Sequence, residues 1–316
     1  MSGTSVQIDL RRLPDLTLRQ VIDSTRLFKE KVRVDRALTA LGGSMFWKAV
    51  GDYEYLVQRQ GRKLIYLGPR TSSMQARHDG FLNDREQLKQ RSSALHQSVG
   101  VAQRMNRAVR AGVTPVAFVD ALNQIELLGL SGRCMVLGPA ALLVYAQAAG
   151  VSGYAAPSSA LVHVALTAVE ASEWTPKLRV AMRRQARVDV VDLGGEDGLL
   201  LHVRRDESDL TALPGGRRQP LARAEAQRLA GTMRVIRNEP ALEHVVIGTT
   251  GKMAPVRAVD PGVYALLAQQ QDSHTLPVIE RMLEQHMVAP LSSADRYEQL
   301  KQQLQGMEEG TGLAIA

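Results

Sequence analysis

Apolar residues first recur at helical spacing near the N-terminus, where Leu18, Val21, Ile22, Leu27 and Val32 share a stripe and Thr17 is placed to cap its start. This predicts one or two helices within residues 1–40, with too little apolar surface to form a core alone. From Met45 to Pro69 the period changes to two. Phe46-Trp47-Lys48-Ala49-Val50 and Tyr53-Glu54-Tyr55-Leu56-Val57 alternate and are rich in aromatic and β-branched side chains. Arg59-Gln60-Gly61-Arg62 then turns the chain into Lys63-Leu64-Ile65-Tyr66-Leu67, which Gly68-Pro69 ends. A β-meander of two or three strands is the expected result. A long polar helix follows over residues 73–111, with Leu82, Leu88, Leu95, Val99, Ala102 and Val109 as a weakly apolar face and Gly112 as its stop.

Beyond Val113 the pattern mixes both periods. Helices are expected over 115–128, 139–149, 176–185 and 221–237, and strands over 133–137, 161–166, 187–193 and 199–204. Gly150 is a natural C-cap for the second of these helices. A further hairpin, 244–248 with 256–259, turns around Gly251, and three helices over 262–271, 276–287 and 293–305 complete the chain, with a tail from Gly306 expected to fray. The segments fall into a helical piece at 1–40, the meander and long helix at 41–112, a mixed core at 113–260 and a helical region at 261–316. No internal repeat interrupts them. The fold class is α+β: a mixed sheet with flanking helices, preceded by the meander and followed by helices.

With 316 residues, 45% hydrophobic and 22% charged, the chain is long enough for two compact domains and has a globular composition. The formal charge of +7 is compatible with a polyanionic partner and equally with an arginine-rich protein that has none. Cys134 is the only cysteine, so a disulfide framework is excluded, and its apolar neighbours favour a buried thiol over a nucleophile. No apolar run reaches about 18 residues and no leader is read at the start, which predicts a cytoplasmic protein without a membrane partner.

Four constellations carry possible chemistry. Gly138 lies at a strand-to-helix turn, where a glycine lets backbone approach a phosphate and the helix N-terminus offers N–H groups. Pro139 follows it; proline suits the first helical position but supplies neither N–H nor hydroxyl. Asp189 and Asp192 lie on a strand, where an acid can join a metal site; without partners Asp189 is a polar residue on a sheet face. His163 shares a strand face with Leu161 and Ala165, and with no ligand at metal spacing it reads as a satisfied histidine. In the meander, Trp47, Lys48, Tyr55, Arg62, Lys63 and Arg70 set stacking faces beside cations, a combination suited to single-stranded nucleic acid or a nucleotide base. The competing reading places half of the meander's aromatics inward as the core of a small sheet. Glu196, Asp197, Asp206 and Glu207 read as solvated turn acids, and no Walker loop, Ser-His-Asp spacing or zinc motif occurs.

In this order, the segments resemble a poorly characterised bacterial family of nucleotidyltransferase-fold proteins in the polymerase-β-like superfamily. The resemblance is carried by Phe46-Trp47-Lys48-Ala49-Val50 with Tyr53-Glu54-Tyr55-Leu56, by Tyr66-Leu67-Gly68-Pro69-Arg70, and by Gly138, Ala141, Leu142, Tyr145 and Ala149-Gly150-Val151. Arg187-Val188-Asp189 and Val256-Arg257-Ala258-Val259-Asp260-Pro261 extend it. It implies a nucleotidyltransferase-like core, transfer of a nucleoside monophosphate from a triphosphate with Mg2+, nucleotide contacts at Gly138, Pro139 and Tyr145, and a catalytic, metal-binding acid at Asp189. The departures are as informative. The family's acid pair falls at about Leu161 and His163, Pro139 replaces a hydroxyl residue, and the expected lysines are missing after Pro261. Together they imply impaired or lost transfer, with a site recruiting Asp192 or Asp197, or a module binding a nucleotide, nucleic acid or protein, as alternatives.

Overall fold

A computed structural model describes residues 10–154, 157, 159–182, 188–194, 197–204, 223–271, 273 and 275–312. Arg187, Glu196, Asp206 and Glu207, with residues 183–185 and 221–222 of two expected helices, lie outside the described residues. The chain divides into two compact units, Arg26–Ala102 and Met1–Thr25 with Gln103–Ala316. Both divisions fall inside helices, α1 (Asp15–Leu41) and α2 (Ser72–Ala108), whereas the sequence pattern placed breaks near 40 and 112. Helix periodicity runs on across a packing boundary without marking it.

The smaller unit holds an antiparallel meander, β2 (Ser44–Val50), β3 (Tyr53–Gln60) and β4 (Lys63–Pro69). One face packs through Met45 and Leu56 on Phe81 of α2, with Trp47, Leu67 and Met74 around them. On the helices of this unit, Glu30 pairs with Arg91, and the Ser92 hydroxyl donates to Asp35 at 2.6 Å.

The larger unit is built on a six-stranded sheet of β5 (Cys134–Leu137), β7 (Ser159–Val164), β8 (Val188–Asp192), β9 (Leu199–Arg204), β10 (Ala241–Ile247) and β11 (Met253–Val259). Their order is β10-β11-β5-β7-β9-β8, antiparallel except for the β11–β5 pair. Every residue of β5 is buried, so both faces of the sheet are covered there. Helices α3 (Val116–Leu127) and α5 (Ala168–Met182) pack together against β11, β9 and β8; α4 (Ala140–Ala149) packs against β10, β11, β5 and β7. The remaining helices are α6 (Arg223–Ile236), α7 (Pro261–Gln270), α8 (Leu276–Glu284) and α9 (Ala294–Gly312). Strands β1 (Arg11–Arg12) and β6 (Val151–Ser152) form a separate antiparallel pair. The architecture is thus mixed α and β, compatible with the expected α+β class. No helix among the described residues is long and apolar enough to cross a membrane.

Local chemistry accounts for the element ends. Helix α4 stops at Gly150, whose left-handed φ of 67° bonds its N–H back into the last turn, as the pattern predicted. A Cβ there would lie 2.6 Å from the Cδ1 methyl of Leu18, which could swing aside, so it is the left-handed conformation that favours glycine. Helix α5 begins at Ala168, well before the expected 176, and Pro176 lies inside it. Thr167 and Glu170 form a reciprocal capping box, Thr167 N–H donating to the carboxylate at 3.0 Å and Glu170 N–H to the hydroxyl at 3.3 Å. Arg133 also pairs with Glu170, whose pKa these hydrogen bonds lower to about 2. Thr17 does not cap α1, which starts at Asp15; its hydroxyl instead donates to the Val109 carbonyl at 3.4 Å. Helix α9 runs on past Gly306 to Gly312, where fraying was expected.

Candidate functional site

Strand β5 ends in a tight turn at Gly138 with φ 62°, and Pro139 leads into α4. The turn opens onto a cavity of ≈ 220 Å³ whose walls include Leu137, Gly138, Pro139, Leu161 of β7, Ile236 of α6 and Tyr264 of α7. The glycine turn and the strand expected to carry metal-binding acids therefore meet at one cavity. Two of the three residues expected to contact nucleotide, Gly138 and Pro139, line it.

Tyr145, the third, is not at the wall. Helix α4 is buried around its whole circumference through Gln147, so it has no wet face on which to present a ligand contact. The Tyr145 hydroxyl donates to the Val259 carbonyl at 2.5 Å, and its ring meets Tyr264 edge-on at 5.7 Å. Burial pushes its pKa up. It is a core residue that fastens α4 to β11.

The described wall of the cavity is chemically neutral. Among its described lining residues none is a carboxylate, lysine or arginine. Its polar side is a chain of hydroxyls: Tyr264 and Thr275 lie 2.9 Å apart, and Thr275 and Ser273 2.8 Å apart. Burial pushes the Tyr264 pKa up to about 12, so this hydroxyl stays protonated at neutral pH. Within the first turn of α4, the Ala141 and Leu142 N–H groups already donate to Gly138 and Pro139 carbonyls at 2.9 and 3.2 Å. The wall residues from α6 to Thr275 were not singled out from sequence, because hydroxyl, amide and leucine side chains at such separations carry no spacing signal.

The candidate acids Asp189, Asp192 and Asp197 are engaged elsewhere. A row crosses the sheet from Leu137 to Leu161, His202 and Asp189. Asp189 is thus two strands from Leu161, about 10 Å at the usual spacing, on the last strand of the order. Its carboxylate pairs with Arg204. Asp192 accepts from the Gly194 N–H at 2.9 Å and so caps the β8–β9 turn. Asp197, read from sequence as a solvated turn acid, is buried and receives a two-pronged pair from Arg234 at 2.7 and 2.6 Å. His163 is buried and its Nε2–H donates to the Asp197 carbonyl at 2.6 Å. Burial lowers its pKa, so the ring is neutral and structural, as the spacing suggested.

A two-metal centre needs several carboxylates converging on a common point. The described residues do not fit one: Leu161 occupies the wall, and Asp189 and Asp197 are each neutralised by an arginine. Among the described residues, no three His, Cys, Asp or Glu side chains are grouped to hold an ion. Cys134 is buried and burial pushes its thiol pKa up, which makes it a packing residue and not a nucleophile.

The six candidate nucleic-acid residues of the meander do not converge. Trp47 pairs across to Leu56 on the face packed against Phe81, with His78 at 5.8 Å and the Arg70 guanidinium 5.1 Å above its ring. Arg70 is also paired with Glu54. Lys48 and Tyr55 face each other on the opposite side, while Arg62 and Lys63 lie at the β3–β4 turn. Comparison of the chain with protein-family models, curated proteins and solved structures gives no match.

Proposed function

We propose that the chain is a nucleotidyltransferase-like protein that has lost nucleotidyl transfer and acts as a binding module. The observation that carries this is the cavity at Gly138, whose described wall holds Leu161 where an acid pair is expected and neither carboxylate nor cation elsewhere. A triphosphate with two magnesium ions requires both signs of charge at close range, and an apolar wall with neutral hydroxyls stabilises neither. The Gly138 turn, the adjoining strand β7 and the mixed sheet support the fold half of the reading. The arginine-paired Asp189 and Asp197 support the loss.

The test is incubation of the intact protein with labelled nucleoside triphosphates, Mg2+ or Mn2+, and RNA or protein acceptors, beside Asp189→Ala and Asp197→Ala. No label should transfer. Thermal unfolding with each triphosphate should also be unmoved, because a ligand at about 100 times its Kd adds about 2.7 kcal/mol to stability. Metal-dependent transfer that vanishes in either variant would overturn the proposal.

A further inference from the structure

The side of the meander turned away from Phe81 carries a feature that the Gly138 cavity does not use. Alternation, adjusted for the register shift at Leu56/Val57, places Phe46, Lys48 and Val50 of β2 on this face. Tyr53, Tyr55, Val57 and Arg59 of β3 join them, as do Leu64 and Tyr66 of β4. Four of these are unusually open for large apolar side chains: Tyr53 at 66% exposure, Tyr66 at 50%, Val50 at 47% and Leu64 at 41%. A small sheet normally buries one face and solvates the other with polar groups. Here one face packs on Phe81, while the other buries Val57 at its centre and leaves Tyr53 and Tyr66 open around it.

Its charge is one-sided. Lys48 donates to the Tyr66 hydroxyl at 2.7 Å with its ammonium 5.4 Å from that ring, and the Arg59 guanidinium lies 5.6 Å from the Phe46 ring. Tyr55 meets Tyr66 edge-on at 6.3 Å. Residues 44–70 hold five lysines and arginines against two acids. Of those acids, Glu54 belongs to the packed face by alternation and pairs with Arg70, and Asp52 lies in the β2–β3 turn. Arg62 and Lys63 extend the positive potential past the β3–β4 turn.

We infer that this face binds single-stranded nucleic acid, independently of whether the Gly138 cavity binds anything. Exposed rings on an open antiparallel sheet stack unpaired bases, and cations beside the rings meet the phosphates between them. A base-paired duplex hides its base faces from such rings. Charge decides against a purely apolar partner: Lys48 and Arg59 interrupt the exposed surface and no acid shares the face.

Fluorescence anisotropy with a labelled oligouridylate and an oligothymidylate, using the intact chain at low salt, tests this. Binding should weaken as salt rises, with a slope that falls by about 0.7 in Lys48→Gln, which neutralises one phosphate fewer. Tyr53→Ala and Tyr66→Ala should each weaken binding by about five-fold or more while leaving the circular dichroism spectrum unchanged. Arg179→Gln removes one exposed charge from the other unit and should leave affinity within about two-fold. No binding at low salt overturns the inference. So do wild-type affinity in both tyrosine variants, equal affinity for duplex, and binding to anionic vesicles in place of oligonucleotide.

Discussion

Asp260 offers a stringent test of how the cavity wall is held. It is fully buried at the start of α7, and its two oxygens divide the work. Oδ1 accepts from the Gly262 N–H at 2.7 Å, Oδ2 accepts from the Leu291 and Ser292 N–H groups at 3.0 Å, and the Tyr297 hydroxyl lies 2.9 Å from both. One carboxylate thereby joins the first turn of α7 to the segment before α9 and to α9 itself. In Asp260→Asn one oxygen becomes an NH2 donor. Placed at Oδ2 it would face two backbone donors, and placed at Oδ1 only one, so the amide turns its nitrogen toward Gly262. That orientation loses one hydrogen bond to a charged acceptor and sets the amide NH2 against the Gly262 N–H, at about 1.5–3 kcal/mol. It also converts the surviving bonds from charge-assisted to neutral, roughly half as strong, partly offset by the easier burial of a neutral group. The net expectation is about 2–4 kcal/mol. Asp260→Ala removes the acceptor of four donors, of which only the Ser292 N–H keeps another partner, the Tyr297 hydroxyl at 3.0 Å, and should cost more, about 4 kcal/mol or above.

At roughly 2–4 °C per kcal/mol for a unit of this size, Asp260→Asn should lower Tm by about 5–15 °C, with the alanine variant lower again. Differential scanning calorimetry, with urea midpoints as a second measure, reads both. A Tm within about 2 °C of wild type for Asp260→Asn would refute the reasoning, as would an alanine variant no worse than the asparagine one. Either result would mean that α7 is fixed by its apolar contacts, among them Val263 and Tyr264, and that the carboxylate network is incidental.

Two further outcomes are expected. Burial holds the His163 pKa below its ordinary value near 6.5, so the unfolded chain takes up the proton first as pH falls. Stability should therefore be independent of His163 above about pH 6.5 and decline below it until the folded-state pKa is reached; the loss of urea midpoint between pH 7.5 and 5.5 should shrink in His163→Gln, and an identical loss in both proteins would count against the assignment. Cys134 should resist Ellman's reagent in the native protein and react fully in denaturant, because burial keeps its thiol protonated and out of reach; rapid native labelling would contradict its core position.

Features governed by neighbours along the chain were legible in the sequence. The meander, the Gly138 turn, the Gly150 cap and the hairpin of β8 with β9 follow from period, glycine placement and turn chemistry. The start of α5 was also legible in principle, since Thr167 and Glu170 have capping-box spacing, but Pro176 drew the boundary too late. Tyr145 could not be placed by pattern, because a helix apolar on every side has no periodic face to separate wall from core. The meander's aromatic residues were recognised, yet Trp47 and Arg70 were grouped with Lys48 and Tyr55 although strand alternation separates their faces.

By itself, then, the sequence determined most of the elements and their order, though not the short pair β1 and β6, and the residue types at the Gly138 and Leu161 positions. Only the tertiary structure decided that these two positions share a cavity, that Asp189 lies two strands from it beside Arg204, and that Asp197 is buried against Arg234. Secondary structure arises from interactions a few residues apart, so its signals repeat at short periods. Strand order and ion pairing join residues far apart in the chain, as Asp197 and Arg234 are, and leave no periodic trace.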